Sequence, residues 1–123
     1  MPWIHLLTRI AGNFFYFSDS QEIDIEYLTN SSSLSNPGDG TKPLQLTNQP
    51  GNAGTSYFNV PSPTDATTTA HEYRIDWIPG KALFYLDGVL QKTITANVPT
   101  AAGSWIWNNW SYVVPSLQLI SFP

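Results

Sequence analysis

Between Gln21 and Tyr27 the chain alternates strictly, with Glu22, Asp24 and Glu26 at every second position and Ile23, Ile25 and Tyr27 among them. A period of two places the three acids on one face of a β-strand and the apolar residues on the other. Such a strand cannot lie between two apolar layers, so its acidic face must look into solvent or a wet cleft. Charged residues make up 11% of the chain, yet three of its nine acids fall within these five positions. That concentration has the form of a carboxylate-based active site, and the competing reading is a solvated acidic strand face.

The spacing narrows the chemistry. Glu22 and Glu26 are four residues apart, roughly 13 Å between Cα atoms at about 3.3 Å per residue. Side chains leaning together by roughly 4 Å apiece bring the carboxyl groups to about 5 Å, the separation of retaining glycoside cleavage; inversion needs a wider gap. Asp24 lies between them on a shorter stem. Three carboxylates this close cannot all ionise easily, so at least one is expected to hold a proton near neutral pH.

The rest of the chain reads as strands and turns without a helical period. Phe14–Phe17 is an aromatic run expected to form a buried strand, joined to the acidic strand as an antiparallel hairpin, with Asp19 as a turn residue. Thr29 to Gly54 is a long polar stretch with Pro37-Gly38-Asp39-Gly40 as a turn and a short strand around Leu44 and Leu46; it is expected to border the cleft. Ser56–Val60 is a further strand, and Pro61–Ala70 a loop. His71–Ile78 alternates again, Pro79-Gly80 turns, Ala82–Leu86 returns, Asp87-Gly88 turns and Val89–Thr95 follows, predicting a three-strand meander. In Ser104–Tyr112 the alternation sets Trp105, Trp107 and Asn109 against Ile106, Asn108 and Trp110.

Glu22-Ile23-Asp24-Ile25-Glu26 resembles the signature of glycoside hydrolase family 16, whose members have a concanavalin A-like jelly-roll fold. His71-Glu72-Tyr73-Arg74-Ile75-Asp76-Trp77, Phe84-Tyr85-Leu86-Asp87-Gly88 and Asn108-Asn109-Trp110-Ser111 follow in the family's order, so the similarity runs from residue 14 to 111. The resemblance implies an all-β antiparallel sandwich in which Glu22 is the nucleophile, Glu26 the acid/base and Asp24 the assistant of the nucleophile. It also implies substrate binding by Asn108 and Trp110. His71 has no His or Cys neighbour at ligand spacing; a hydrogen-bonded place at a strand entry and a substrate-binding role both stay open. One departure concerns Ser20-Gln21, where many members have Trp-Asp. The activity implied is that of a retaining endo-β-glucan hydrolase or transglycosylase.

At 123 residues the chain is one domain, 1–123, shorter than most complete sandwiches, and the expectation is a sandwich incomplete at both ends. Residues 1–13 and 112–123 are atypical of the family. Met1–Gly12 is too short and too broken by Arg9 to span a membrane, and lacks signal-peptide architecture. The family implies a secreted or cell-wall location. A net charge of −4 with five basic residues argues against nucleic acid; a neutral β-glucan polysaccharide is the expected partner, with no membrane partner and a monomeric state. No cofactor or metal ligand set is implied, and a structural calcium ion is compatible with the sequence but not indicated by it. Asn30-Ser31-Ser32 fits an N-glycosylation sequon, as does Asn109-Trp110-Ser111. Three other readings use the same residues: a non-catalytic carbohydrate-binding sandwich, a cation site, and a fragment that does not fold alone.

Overall fold

The computed structural model describes the backbone of residues 3–4, 10–49 and 54–111, and side chains within 18–49 and 54–107. Nine strands are assigned there: β1 (Trp3–Ile4), β2 (Ile10–Phe17), β3 (Glu22–Leu28), β4 (Leu44–Gln49), β5 (Ser56–Val60), β6 (His71–Ile78), β7 (Lys81–Leu86), β8 (Val89–Ile94) and β9 (Ser104–Ser111). They form two antiparallel sheets, β5-β4-β3-β2-β9 and β1-β6-β7-β8. The acidic strand β3 is thus the middle strand of the larger sheet, paired with β2 on one side and β4 on the other.

Alternation explains how the sheets meet. Ile23, Ile25 and Tyr27 of β3 and Leu44 and Leu46 of β4 are buried in one cluster with Tyr73 and Ile75 of β6, Ala82 and Phe84 of β7 and Ile94 of β8. Each fully buried aliphatic or aromatic side chain contributes roughly 1.5–3 kcal/mol, so this layer holds the sheets face to face. Trp77 packs at its margin and donates its indole N–H to the Pro99 carbonyl at 2.9 Å. Trp105 and Trp107 of β9 differ, being 41% and 51% exposed.

The turns follow from their residues. Between β7 and β8, Asp87 and Gly88 both have positive φ (49° and 77°), the requirement of a two-residue hairpin that follows the sheet's twist. Gly80, with φ 78°, follows Pro79 in the β6–β7 turn. The long segment after β3 is tied down by Asn36, whose amide donates to the Leu28 and Asn30 carbonyls at 3.1 and 2.8 Å. Gln45 of β4 donates to the Ser35 carbonyl and to Asn36 Oδ1. The strand expected around Leu44 and Leu46 therefore extends to six residues.

At the open side of the sandwich, β8 changes register with a bulge between Phe84 and Tyr85. Lys92, in register with buried Phe84, sets its ammonium 3.9 Å over the ring of Phe58 on β5. This cation–π contact links the edge strands of the two sheets. The aromatic residues of β2, expected to be buried, lie outside the described side chains, as do the atypical ends 1–13 and 112–123.

Candidate active site

Strand β3 starts from a tight turn. The Ser18 N–H donates to the Gln21 carbonyl at 2.9 Å, and the Gln21 N–H donates to Ser18 Oγ at 3.0 Å, leaving Asp19 exposed in the turn. Gln21, the residue before Glu22, is half-buried and reaches with its side chain to a distant part of the chain. Its Oε1 accepts from the backbone N–H groups of Thr100 and Ala101 at 2.8 and 2.7 Å. One amide oxygen thereby fastens the entry of β3 to the segment that leads into β9.

The three carboxylates lie on the side of the sheet opposite the core. Glu22 and Glu26 are partly buried, but Asp24 is 0% exposed. Of the acidic face expected to look into solvent or a wet cleft, the middle member does not reach water, because Asp24 is in register with Phe15 of β2 and Thr47 of β4, on the central strand, with a longer glutamate on either side along β3. Its Oδ2 accepts from Gln49 Nε2 at 3.3 Å, its Oδ1 is buried, and the carboxyl lies within hydrogen-bonding reach of the Glu22 carboxyl.

Burial, with the adjoining Glu22 carboxyl and the charge of Glu26, raises the Asp24 pKa from 3.8 to about 9, although Gln49 works the other way. Asp24 is therefore protonated at neutral pH. Burial, reinforced by the negative charge of Glu22, also raises the pKa of Glu26. The site holds a neutral acid in contact with one glutamate and, at its other end, a second glutamate with an increased affinity for protons. Such a set can exchange a proton with a reacting oxygen at one end and present a carboxylate oxygen at the other.

Strand register extends the site sideways. Glu26 shares a row with Gln45 and Asn59 on one side and with Asn13 and Asn108 on the other; Asp24 shares one with Thr47, Tyr57, Phe15 and Ile106. Asn108 is thus two strands from Glu26, roughly 10 Å away at the usual strand spacing. Trp110 is in register with Ala11, which pairs with Leu28, on the same side of the pleat. The side chains of Asn108 and Trp110 lie outside the described residues. Sequence reasoning marks Gln21 only as a departure from the family pattern, without a partner, and does not single out Gln49. The alternation Gln45-Leu46-Thr47-Asn48-Gln49 carries a signal for the second; nothing local signals the first, whose partners are 79 and 80 residues away.

His71 is placed elsewhere. It opens β6 in the smaller sheet, with Nδ1 2.7 Å from Asp87 Oδ2 and Nε2 3.0 Å from Asp65 Oδ1. Asp87 also accepts the Glu72 N–H through Oδ1 at 2.9 Å. Burial opposes the imidazolium, but Asp87 and then Asp65 outweigh it and raise the His71 pKa. The ring joins the loop before β6 to the β7–β8 turn, and no described contact joins it to the carboxylates of β3. Among the described residues no group of three or more His, Cys, Asp or Glu is arranged to hold a metal ion, and no helix is long and apolar enough to cross a membrane.

Comparison with known proteins adds the following. The profile of Glycosyl hydrolases family 16 matches residues 10–111. The Beta-glucanase of Paenibacillus polymyxa is 32% identical over 110 residues, covering 85% of this chain and 42% of that protein; the Beta-glucanase of Bacillus subtilis (strain 168) is 31% identical with the same coverage. The chain thus spans less than half the length of these relatives. In solved structures, the Bacillus licheniformis beta-glucanase superposes with a TM-score of 0.63 at 25% identity, over 96% of this chain and 54% of its own. A native glycosidic hydrolase gives 0.68 at 23% identity, over 88% of this chain and 48% of its own, a likeness of fold. The concanavalin A-like jelly-roll architecture expected from the sequence is the one observed.

Proposed function

We propose, since the chain belongs to the glycosyl hydrolases of family 16, that its carboxylate strand cleaves β-glucan by a retaining double displacement. The observation that carries this reading is Asp24, a buried carboxylic acid held neutral between Glu22 and Glu26. Glu22 attacks the anomeric carbon while Glu26 gives its proton to the departing glycosidic oxygen, forming a covalent glycosyl-enzyme. Asp24 lends its proton to a Glu22 oxygen when Glu22 leaves as a carboxylate, and Gln49 holds Asp24 in place. Glu26, now ionised, takes a proton from the acceptor in the second step. Water as acceptor gives hydrolysis, and a sugar hydroxyl gives transfer.

The raised Glu26 pKa supports the acid role, because a carboxyl that holds its proton more tightly remains a donor at higher pH. Asn108, in the backbone row of Glu26, and Trp110, two residues on, are assigned to the glucan by hydrogen bonding and ring stacking. His71 supports the site from outside, through the loop it anchors. The substrate class follows the names of the relatives, β-glucan, and the protein acts as a monomer outside the cell. A role as a non-catalytic glucan binder would leave a neutral Asp24 without a use.

The test pairs chemistry with stereochemistry. Reducing-sugar release from mixed-linkage and β-1,3-glucans is measured for the chain and for Glu22→Gln and Glu26→Ala, and the first-formed anomer is read by proton NMR. The expected result is a β-anomer first, loss of activity in Glu22→Gln, and, on an aryl β-gluco-oligosaccharide whose activated leaving group needs no acid, recovery of Glu26→Ala by azide with a β-glycosyl azide as the product seen by NMR. An α-anomer first, or full activity in Glu22→Gln, refutes the assignment.

A further inference from the structure

The chain carries two sequons, Asn30-Ser31-Ser32 and Asn109-Trp110-Ser111, and the carboxylate chemistry uses neither asparagine. An N-linked oligosaccharide is bulky and polar, so a glycosylated asparagine is compatible with the fold only where its amide nitrogen stays in water. The fold separates the two sequons on that criterion.

Asn30 follows β3 in the first of two consecutive turns: the Ser33 N–H donates to the Asn30 carbonyl and the Asn36 N–H to the Ser33 carbonyl, each at 3.0 Å. Asn30 and Ser32 are exposed, and Leu34, in the second turn, is 104% exposed, so this segment stands in water. Asn30 Oδ1 accepts from the Ser32 N–H at 3.0 Å, an Asx turn. With the amide oxygen turned in to that N–H, Nδ2 lies on the other side of the same planar group, facing away from the turn. The backbone beneath is held from elsewhere, since the Asn36 amide donates to the Leu28 and Asn30 carbonyls at 3.1 and 2.8 Å. A substituent on Asn30 Nδ2 therefore leaves these hydrogen bonds in place.

Asn109-Trp110-Ser111 is the opposite case. It forms the last three residues of β9, in register with Gly12, Ala11 and Ile10 of β2. An extended strand keeps the backbone out of an Asx turn, and Asn109 shares, through Gly12, the row of buried Tyr27. A glycan there would stand on the body of the sheet.

We propose that Asn30 is an N-glycosylation site and that Asn109 is not. The donor class is an oligosaccharide joined through its anomeric carbon to a lipid diphosphate. Asn30 Nδ2 forms the new bond to that carbon, the bond from the carbon to the diphosphate oxygen breaks, the diphosphate leaves with the electron pair, and a proton of Nδ2 passes to a base of the transferase. The Ser32 hydroxyl is the sequon group that the transferase reads. The proposal rests on the extracellular location proposed above and not on the catalytic assignment.

The experiment sends the chain into the secretory pathway of a eukaryotic host behind a cleavable leader, which supplies the location so that the readout is of the site alone. Protein recovered from medium and cell extract is weighed by intact mass spectrometry before and after peptide N-glycosidase, which converts a glycosylated asparagine to aspartate and so marks it in a peptide map. The expected result is one glycan, at Asn30, lost in Asn30→Gln and in Ser32→Ala, which keeps the backbone N–H of the Asx turn, and retained in Ser32→Thr and Asn109→Gln. A chain without glycan, or one modified at Asn109, overturns the assignment. Glucan turnover on the same samples tells the two readings apart: a chain glycosylated at Asn30 but inactive upholds this proposal while the catalytic one falls.

Discussion

Replacing Asp24 by Asn separates the stability of this site from its chemistry. Asp24 has a folded-state pKa of about 9 against an ordinary 3.8. A raised pKa means that its stabilising contribution is complete below about 3.8 and is lost as pH rises towards about 9. At pH 7 the unfolded chain has gained the free energy of ionising Asp24 while the folded chain has not, a difference of about 4 kcal/mol at most, from 1.36 kcal/mol per unit over about three units. Asn is neutral in both states, keeps the shape, and still presents an oxygen to Gln49 and N–H groups to Glu22. The variant should therefore match the parent near pH 4 and exceed it increasingly to pH 9, with a rise in Tm of roughly 4 °C per kcal/mol. Thermal melts at pH 4, 5.5, 7 and 8.5 measure this directly. Glucan turnover should fall about tenfold or more in the same variant, because the amide has no proton to share with Glu22. A stability advantage that is the same at pH 5.5 and 8.5, or a parent more stable throughout, would refute the placement of a buried neutral acid at this position.

Two further predictions concern residues away from the carboxylates. His71 has a raised pKa, so its contribution is full below about pH 6.5 and declines as pH rises through the folded value; between pH 6 and 8.5 the parent should lose stability relative to His71→Gln, and parallel melts would show it. Gln21→Ala should abolish the amide protection of Thr100 and Ala101, measured by hydrogen exchange, while Gln21→Glu should retain it because a carboxylate oxygen accepts the same two N–H groups.

Much of the fold was legible because alternation is a local property. The meander β6–β7–β8 could be placed from apolar alternation and the Pro79-Gly80 and Asp87-Gly88 turns, and β3 from its acidic–apolar pattern. The candidate site was legible for the same reason, since Glu22, Asp24 and Glu26 belong to one strand. Depth was harder to read. A period of two says which face Asp24 occupies, but its complete burial depends on β2 and β4 closing on both sides. Gln49 was hidden within a strand recognised by its leucines, and Gln21 depends on a contact between distant parts of the chain. His71 shows the same limit: Asp65 and Asp87 approach it from two turns whose meeting is a property of the tertiary fold.

The Lys92 ammonium over Phe58 also bears on how the molecule behaves in concentrated solution. An exposed β-edge is a template on which a neighbouring chain can add a strand, and flat apolar edges are where such assembly begins. Here a neighbour seeking to extend the sheet at β8 meets a bulged strand, and one that also packs across the open side must strip water from a cation. The residue that clasps the two sheets together therefore also discourages fibre-like growth, and its replacement by a leucine would preserve packing volume while inviting self-association.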